Sequence, residues 1–196
     1  MTTYNAEISA GSLMPLESRR IAAFLLTNPD DNAWRRALIE ENLLQKKAPA
    51  TALRQAKLIR NRLNTLDITA WDMIAHREQE VAVQLLLVAA IRHSQLLSDF
   101  INDVYKDHQR RLNLAIAPSD WEGFFTECTH RDSSVTQWSA STQAKLFQVI
   151  LRILKEAKYL ENTRNMKLTP QSLHPDVRRY LSAQCNNSLI NLLERA

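Results

Sequence analysis

The sequence predicts an all-α protein, and three observations predict it. There are only two glycines in 196 residues, Gly11 and Gly123, whereas strand-rich folds turn on glycine at positive φ. Apolar residues recur at helical spacings of three and four in segment after segment. Prolines and short polar residues also stand where helices begin, as at Pro15, Pro49 and Pro175, positions where a missing N–H costs nothing.

Taken in order, residues 1–14 read as an irregular lead-in. Pro15 opens a helix through "LESRRIAAFLLTN", whose apolar positions Leu16, Ile21, Phe24 and Leu25 fit one face loosely. Pro29 stops it by turning Asn28 away from helix. Asp30 or Asp31 caps the next helix, "NAWRRALIEENLLQ", with Trp34, Leu38 and Leu44 inward. A basic helix follows from Pro49. Asp67 or Thr69 caps a short one in "DITAWDMIAHREQE", and a long helix is expected from about Glu80 to Leu112. "SDWE", Ser119 to Glu122, reads as a capping box. "SASTQAKLFQVILRILKEAKYL" is strongly amphipathic, burying Leu146, Val149, Ile150, Ile153, Leu154 and Ala157. After it, Tyr159 to Glu161 are expected to pair with Met166 to Leu168 across "NTRN" as a small hairpin, a wing. Pro175 opens the last full helix and "LINLLER" adds a turn. The expected architecture is thus a compact multi-helix protein with a helix-turn-helix-like N-terminal part. Its lobes are placed at 1–68 and 69–196, the second carrying the long central helix and the hairpin.

Composition excludes several functions. Hydrophobic residues make up 45% of the chain, enough to fill a core. Two isolated glycines cannot build a phosphate-cradling loop, which argues against Walker-type ATPases and dinucleotide-binding dehydrogenases. Cys128 and Cys185 stand far apart and read as idle thiols of a reducing cytosol. The five histidines form no zinc-ligand spacing, and no G-x-S-x-G elbow exists. No catalytic residue, metal or cofactor is therefore expected, and no small-molecule substrate. The most apolar run, "VAVQLLLVAAI" from Val81 to Ile91, is 11 residues long, against about 20 for a membrane span. It reads as a buried helix, and with no leader-like segment in "MTTYNAEISAG" the expectation is a cytoplasmic protein.

The net charge of +4 is modest but concentrated. "KKAPATALRQAKLIRNRLNTL", Lys46 to Leu66, holds six cations and no acid. Ala52, Ala56, Ile59, Leu63 and Leu66 recur at 4, 3, 4 and 3 as a core stripe, while Arg54, Lys57, Asn61 and Asn64 fall on another face, flanked by Arg60 and Arg62. An exposed face normally mixes both signs, since like charges repel by a few tenths of a kcal/mol per close pair. A polyanion would offset that repulsion. Lys46, Lys47, Arg54, Lys57, Arg60, Asn61 and Arg62 are the expected DNA-binding set, with secondary basic contacts from Arg19, Arg20, Arg164, Lys167, Arg178 and Arg179. A basic face docking on an acidic protein surface is the competing reading.

Four blocks, "YNAEISAGSLMPLESRRIAAFLL", "WRRALIEENLLQKKAPATALRQAKLIRNRL", "AKLFQVILRILKEAKYL" and "LTPQSLHPDVRRYL", resemble the BrxA family of BREX (bacteriophage exclusion) phage-defence systems, from about Tyr4 to Leu181. The resemblance implies a small helical accessory protein, similar to NusB, an all-helical nucleic-acid-binding antitermination factor. It implies double-stranded DNA as partner, with other BREX proteins or NusB-like RNA binding as alternatives. It supplies no catalytic motif.

Overall fold

The computed structural model describes residues 4–194. Among these the protein is all-α, with no strand. It divides into two compact units: Leu13–His93, and the chain up to Ser12 together with the chain from Ser94 onward. Residues 68 and 69, where the sequence reading sets its boundary, both lie inside the first unit.

The first unit holds α1 (Pro15–Leu25), α2 (Asp31–Ile39), α3 (Pro49–Leu63), α4 (Ile68–His76) and α5 (Gln79–His93). Asp30 caps α2 by accepting the Ala33 N–H at 2.7 Å, and Asp67 caps α4 by accepting that of Ala70 at 3.0 Å. Every residue from Val81 to Ile91 in α5 is buried, Gln84 included, and α1, α3 and α4 pack on it. The second helix is shorter than expected. It ends at Ile39 rather than running on to Gln45, because Asn42 turns left-handed (φ 48°) and the Leu43 N–H reaches back to the Ala37 carbonyl at 2.9 Å. Nine residues, 40–48, then separate α2 from α3. A helix-turn-helix joins its helices through about 3–4, so the short turn expected here is not formed.

The second unit comprises a 3-10 turn at Glu7–Ala10, α6 (Gln95–Phe100), a π turn at Ile101–Tyr105, α7 (Lys106–Arg110), α8 (Pro118–Arg131), a 3-10 turn at Ser133–Gln137, α9 (Ala140–Glu156), α10 (Pro175–Ala183) and α11 (Asn187–Leu193). The single helix expected over 80–112 is broken at Ser94. That residue is extended (φ −127°), and its hydroxyl accepts the Leu97 N–H at 3.3 Å. A serine that caps a new helix competes with continuing the old one. The expected capping box is displaced by two residues: α8 starts at Pro118, and Asp120 accepts the Ala117 N–H at 2.7 Å.

Helix α9 buries Leu146, Val149, Ile150, Ile153 and Leu154 of its expected stripe, and the sixth residue, Ala157, is buried at its C-cap. Phe100 sits at the centre of an aromatic cluster with Trp121, Phe124 and Phe147. Tyr105 donates to the Tyr159 carbonyl at 2.9 Å, and Tyr159 donates to that of Leu193 at 2.6 Å. The two segments expected to pair after α9 do meet, but Leu160 stands opposite Leu168, one residue out of the expected register, and as an isolated bridge rather than strands, so the expected wing is not formed. A third segment missed in the sequence joins it, Ala115 pairing with Lys167.

The two glycines do none of the left-handed work. Among the described residues eight others take positive φ, including Asn28, Asn42 and Lys158. Lys158, at 65°, closes the C-terminal end of α9 so that the Tyr159 N–H meets the Leu154 carbonyl at 2.8 Å. The left-handed region costs an L-residue about 1–2 kcal/mol, part of which glycine returns through the unfolded chain. Lys158→Gly is therefore expected to stabilise the protein by about 0.5–1 kcal/mol in urea unfolding.

Candidate nucleic-acid interface

Helix α3 begins at Pro49 and carries no acid in its first turn, while Arg60 and Arg62 fall in its last, where cations complement the negative end of the helix dipole. Its buried stripe is the expected one: Ala52, Ala56, Ile59 and Leu63 are all at most 1% exposed, and Leu66 follows just beyond. Leu58 and Arg62 form a second buried row four residues apart. At about 100° per residue, Arg54, Lys57, Arg60, Asn61 and Asn64 occupy an opposite arc of about 120°.

That geometry sorts the expected contacts. Lys47, Arg54 and Lys57 are exposed and make no ion pair among the described residues. Asn61 is half-buried beside them. Arg60 is held: its guanidinium lies over the Trp34 ring, 4.7 Å from the centroid, and 3.9 Å from Asp31. Trp34 in turn stacks on Phe24. This aromatic seat is a feature the sequence did not disclose, because the ring and the arginine sit on different helices.

Two expected contacts are corrected. Arg62 is 4% exposed; it follows Leu58 by one helical turn and points inward with it, so it is not available to a duplex. Lys46 is ion-paired to Glu17 at 2.5 Å. Burial disfavours ionised Glu17, but the Lys46 bond, a backbone N–H and the charges of Lys46 and Arg20 outweigh it, and its pKa falls below the ordinary glutamate value.

Most of the secondary set is also occupied. Arg19 donates to the carbonyls of Ala75 and Arg77 at 3.0 and 2.8 Å, closing the end of α4. Arg20 donates to the Gln45 side chain at 3.0 Å. Arg178 pairs with Glu194, and Arg179 lies 3.3 Å from Asp176. Arg164 and Lys167 are exposed in the tight turn of the second unit. What remains outward in the first unit is one acid-free helix face carrying Arg54, Lys57 and Asn61, with Lys47 ahead of it and Arg60 at its edge.

The fold and this face define a class: an all-helical protein with a cationic helix presented outward and, among the described residues, no group of side chains able to hold a metal. No single helix among them is long and apolar enough to cross a membrane. The BrxA family model matches residues 2–185, and the chain belongs to that family. It is 35% identical to the BREX protein BrxA of Paramagnetospirillum magneticum over 97% of this chain and 96% of that one. It is likewise 35% identical to the BREX protein BrxA of Escherichia coli O9:H4, over 96% and 88%. The crystal structure of an uncharacterized protein from Magnetospirillum magneticum superposes with a TM-score of 0.90 at 33% identity, covering the whole of both chains.

Arg62→Ala should lower stability by about 1–3 kcal/mol and Arg54→Ala by less than about 0.5, as read by chemical unfolding. A lowered Glu17 pKa contributes stability that is present above the unfolded value and lost as pH falls through the folded one. Unfolding between pH 6 and 3 should thus show Lys46→Met losing less stability on acidification than the parent.

Proposed function

We propose that the protein is a non-enzymatic double-stranded DNA-binding accessory protein of a BREX system, meeting the duplex mainly through phosphates with the outward face of α3. The observation that carries this reading is the pair Arg54 and Lys57, exposed on a helix with no acid among its residues Pro49–Leu63. Within a folded protein such a face lacks the i,i+4 carboxylates that ordinarily offset like charge. An α-helix about 10–12 Å across matches the width of the major groove, about 12 Å. The row from Arg54 to Asn61 runs about 10 Å along the helix. Arg54 and Lys57 supply phosphate contacts, and Asn61 has the donor and acceptor for an adenine edge. Arg60, seated on Trp34, meets the duplex with less side-chain freedom to lose.

With Lys47, Arg54, Lys57 and Arg60 neutralising ~4 phosphates, log K should fall against log salt with a slope near about −3.6. Fluorescence anisotropy with a labelled duplex reads this directly. The double variant Arg54→Glu with Lys57→Glu should weaken binding at least about tenfold at low salt and flatten the slope. Binding unchanged by that variant would remove α3 from the interface. RNA outcompeting duplex DNA at equal salt would favour a NusB-like role. Nuclease-resistant capture of another BREX component, lost in the same variant, would favour an assembly role.

A further inference from the structure

The second unit contains a cavity of about 330 Å³ between the α6–α7 segment and α11. Ser98, Asn102, Lys106 and Arg110 line it from one side and Ser188 and Asn191 from the other. The first four are spaced by four residues. In a regular α-helix such a row drifts by about 40° per step. The π turn at Ile101–Tyr105 widens the helix in mid-row and reduces that drift, so the row faces one groove.

The charges in this groove are unusual. Lys106 is only 6% exposed, and its Nζ donates to the Glu194 carbonyl at 2.5 Å, which uses one of its three protons. Arg110, one turn on, is exposed and makes no ion pair among the described residues. Burial and then the neighbouring Arg110 charge lower the Lys106 pKa, the signature of two cations held close without an acid between them. One carboxylate, Asp99, also lines the cavity; it is already engaged by the Tyr4 hydroxyl at 2.5 Å, the Gln95 amide at 2.7 Å and Arg131 at 3.6 Å. Asp107, three residues before Arg110, is taken by Arg111 at 2.9 Å.

We propose that this cavity binds a phosphate group, with Arg110 and Lys106 neutralising it and the Ser98, Ser188, Asn102 and Asn191 side chains donating to its remaining oxygens. The ligand is a phosphate monoester or a phosphodiester of a nucleic-acid backbone. Its site is independent of the α3 face.

Isothermal titration of the full-length protein with inorganic phosphate, against chloride at matched ionic strength, tests the site. The parent should bind one phosphate, and Arg110→Gln should weaken it at least about tenfold, the loss of a charge-assisted contact. Arg54→Glu with Lys57→Glu should leave phosphate binding unchanged. Because Lys106 also holds the end of α11, Lys106→Met is read only after circular dichroism shows it folded; Ser188→Ala, on the surface of α11, provides the independent second variant and should also weaken binding. A labelled duplex distinguishes the source. If Arg110→Gln weakens duplex binding and phosphate competes for that fraction, the ligand is a backbone phosphodiester; if duplex binding is unaffected, it is a monoester. Phosphate heats no different from chloride, or identical in parent, Arg110→Gln and Ser188→Ala, would overturn the proposal.

Discussion

The first unit depends on the burial of α5. Eleven consecutive residues from Val81 to Ile91 are withdrawn from water, so this helix has no wet face to offer. Fully burying one Val or Leu side chain is worth about 1.5–3 kcal/mol, and no arrangement that exposed such a run could compete. Each helix packed on α5 must therefore turn its own apolar stripe inward. For α3 that stripe is Ala52, Ala56, Ile59 and Leu63, and the small alanines let it approach closely. The orientation of the cations is a consequence: once this stripe faces α5, Arg54 and Lys57 have nowhere to go but outward, and Arg62 is carried inward with Leu58.

The same reasoning separates structural cations from available ones. Arginines appear throughout the chain, yet most are consumed by the fold. Arg19 closes α4, Arg92 donates to the Thr65 carbonyl at 2.8 Å, and Arg131 bridges Asp99 and Asp103. A charge whose hydrogen bonds are satisfied internally gives little to a polyanion. A charge left on a rigid helix with no opposite neighbour contributes fully, at the cost of mild repulsion in the free protein. This distinction, rather than total charge, marks Arg54 and Lys57 on α3 in the first unit. In the second, Arg110, Lys145, Arg152, Lys155, Arg164 and Lys167 are likewise exposed with no ion pair among the described residues, and only Arg110 lines a groove with a buried second cation, Lys106.

Periodic features were legible in the sequence. The α3 and α9 stripes, the caps at Asp30 and Asp67, and the meeting of segments 159–161 and 166–168, though not its register, are local patterns set by residues three to eight apart. What was not legible depends on partners distant in sequence or on competition between two acceptable local structures. Ser94 sits in a run that fits one continuous helix, and its capping bond tips the balance. Arg62 carries the same charge as Arg60 and differs only in facing inward. Lys46 is neutralised by Glu17, 29 residues away, and the seat under Arg60 comes from Trp34 on another helix. The 114–116 segment has no strand pattern of its own and pairs only because the turn after α9 offers it an edge.

On this reading the outward face of α3 is where the protein meets a duplex. Backbone amide chemical-shift mapping during titration with a short DNA duplex tests it most directly, because it reads every helix at once without altering a charge. The largest perturbations are expected at Lys47, Arg54, Lys57 and Asn61, with Ala52, Ile59 and Leu63 on the buried side little changed. Perturbations confined to residues outside the first unit, such as the turn carrying Arg164 and Lys167, would contradict it.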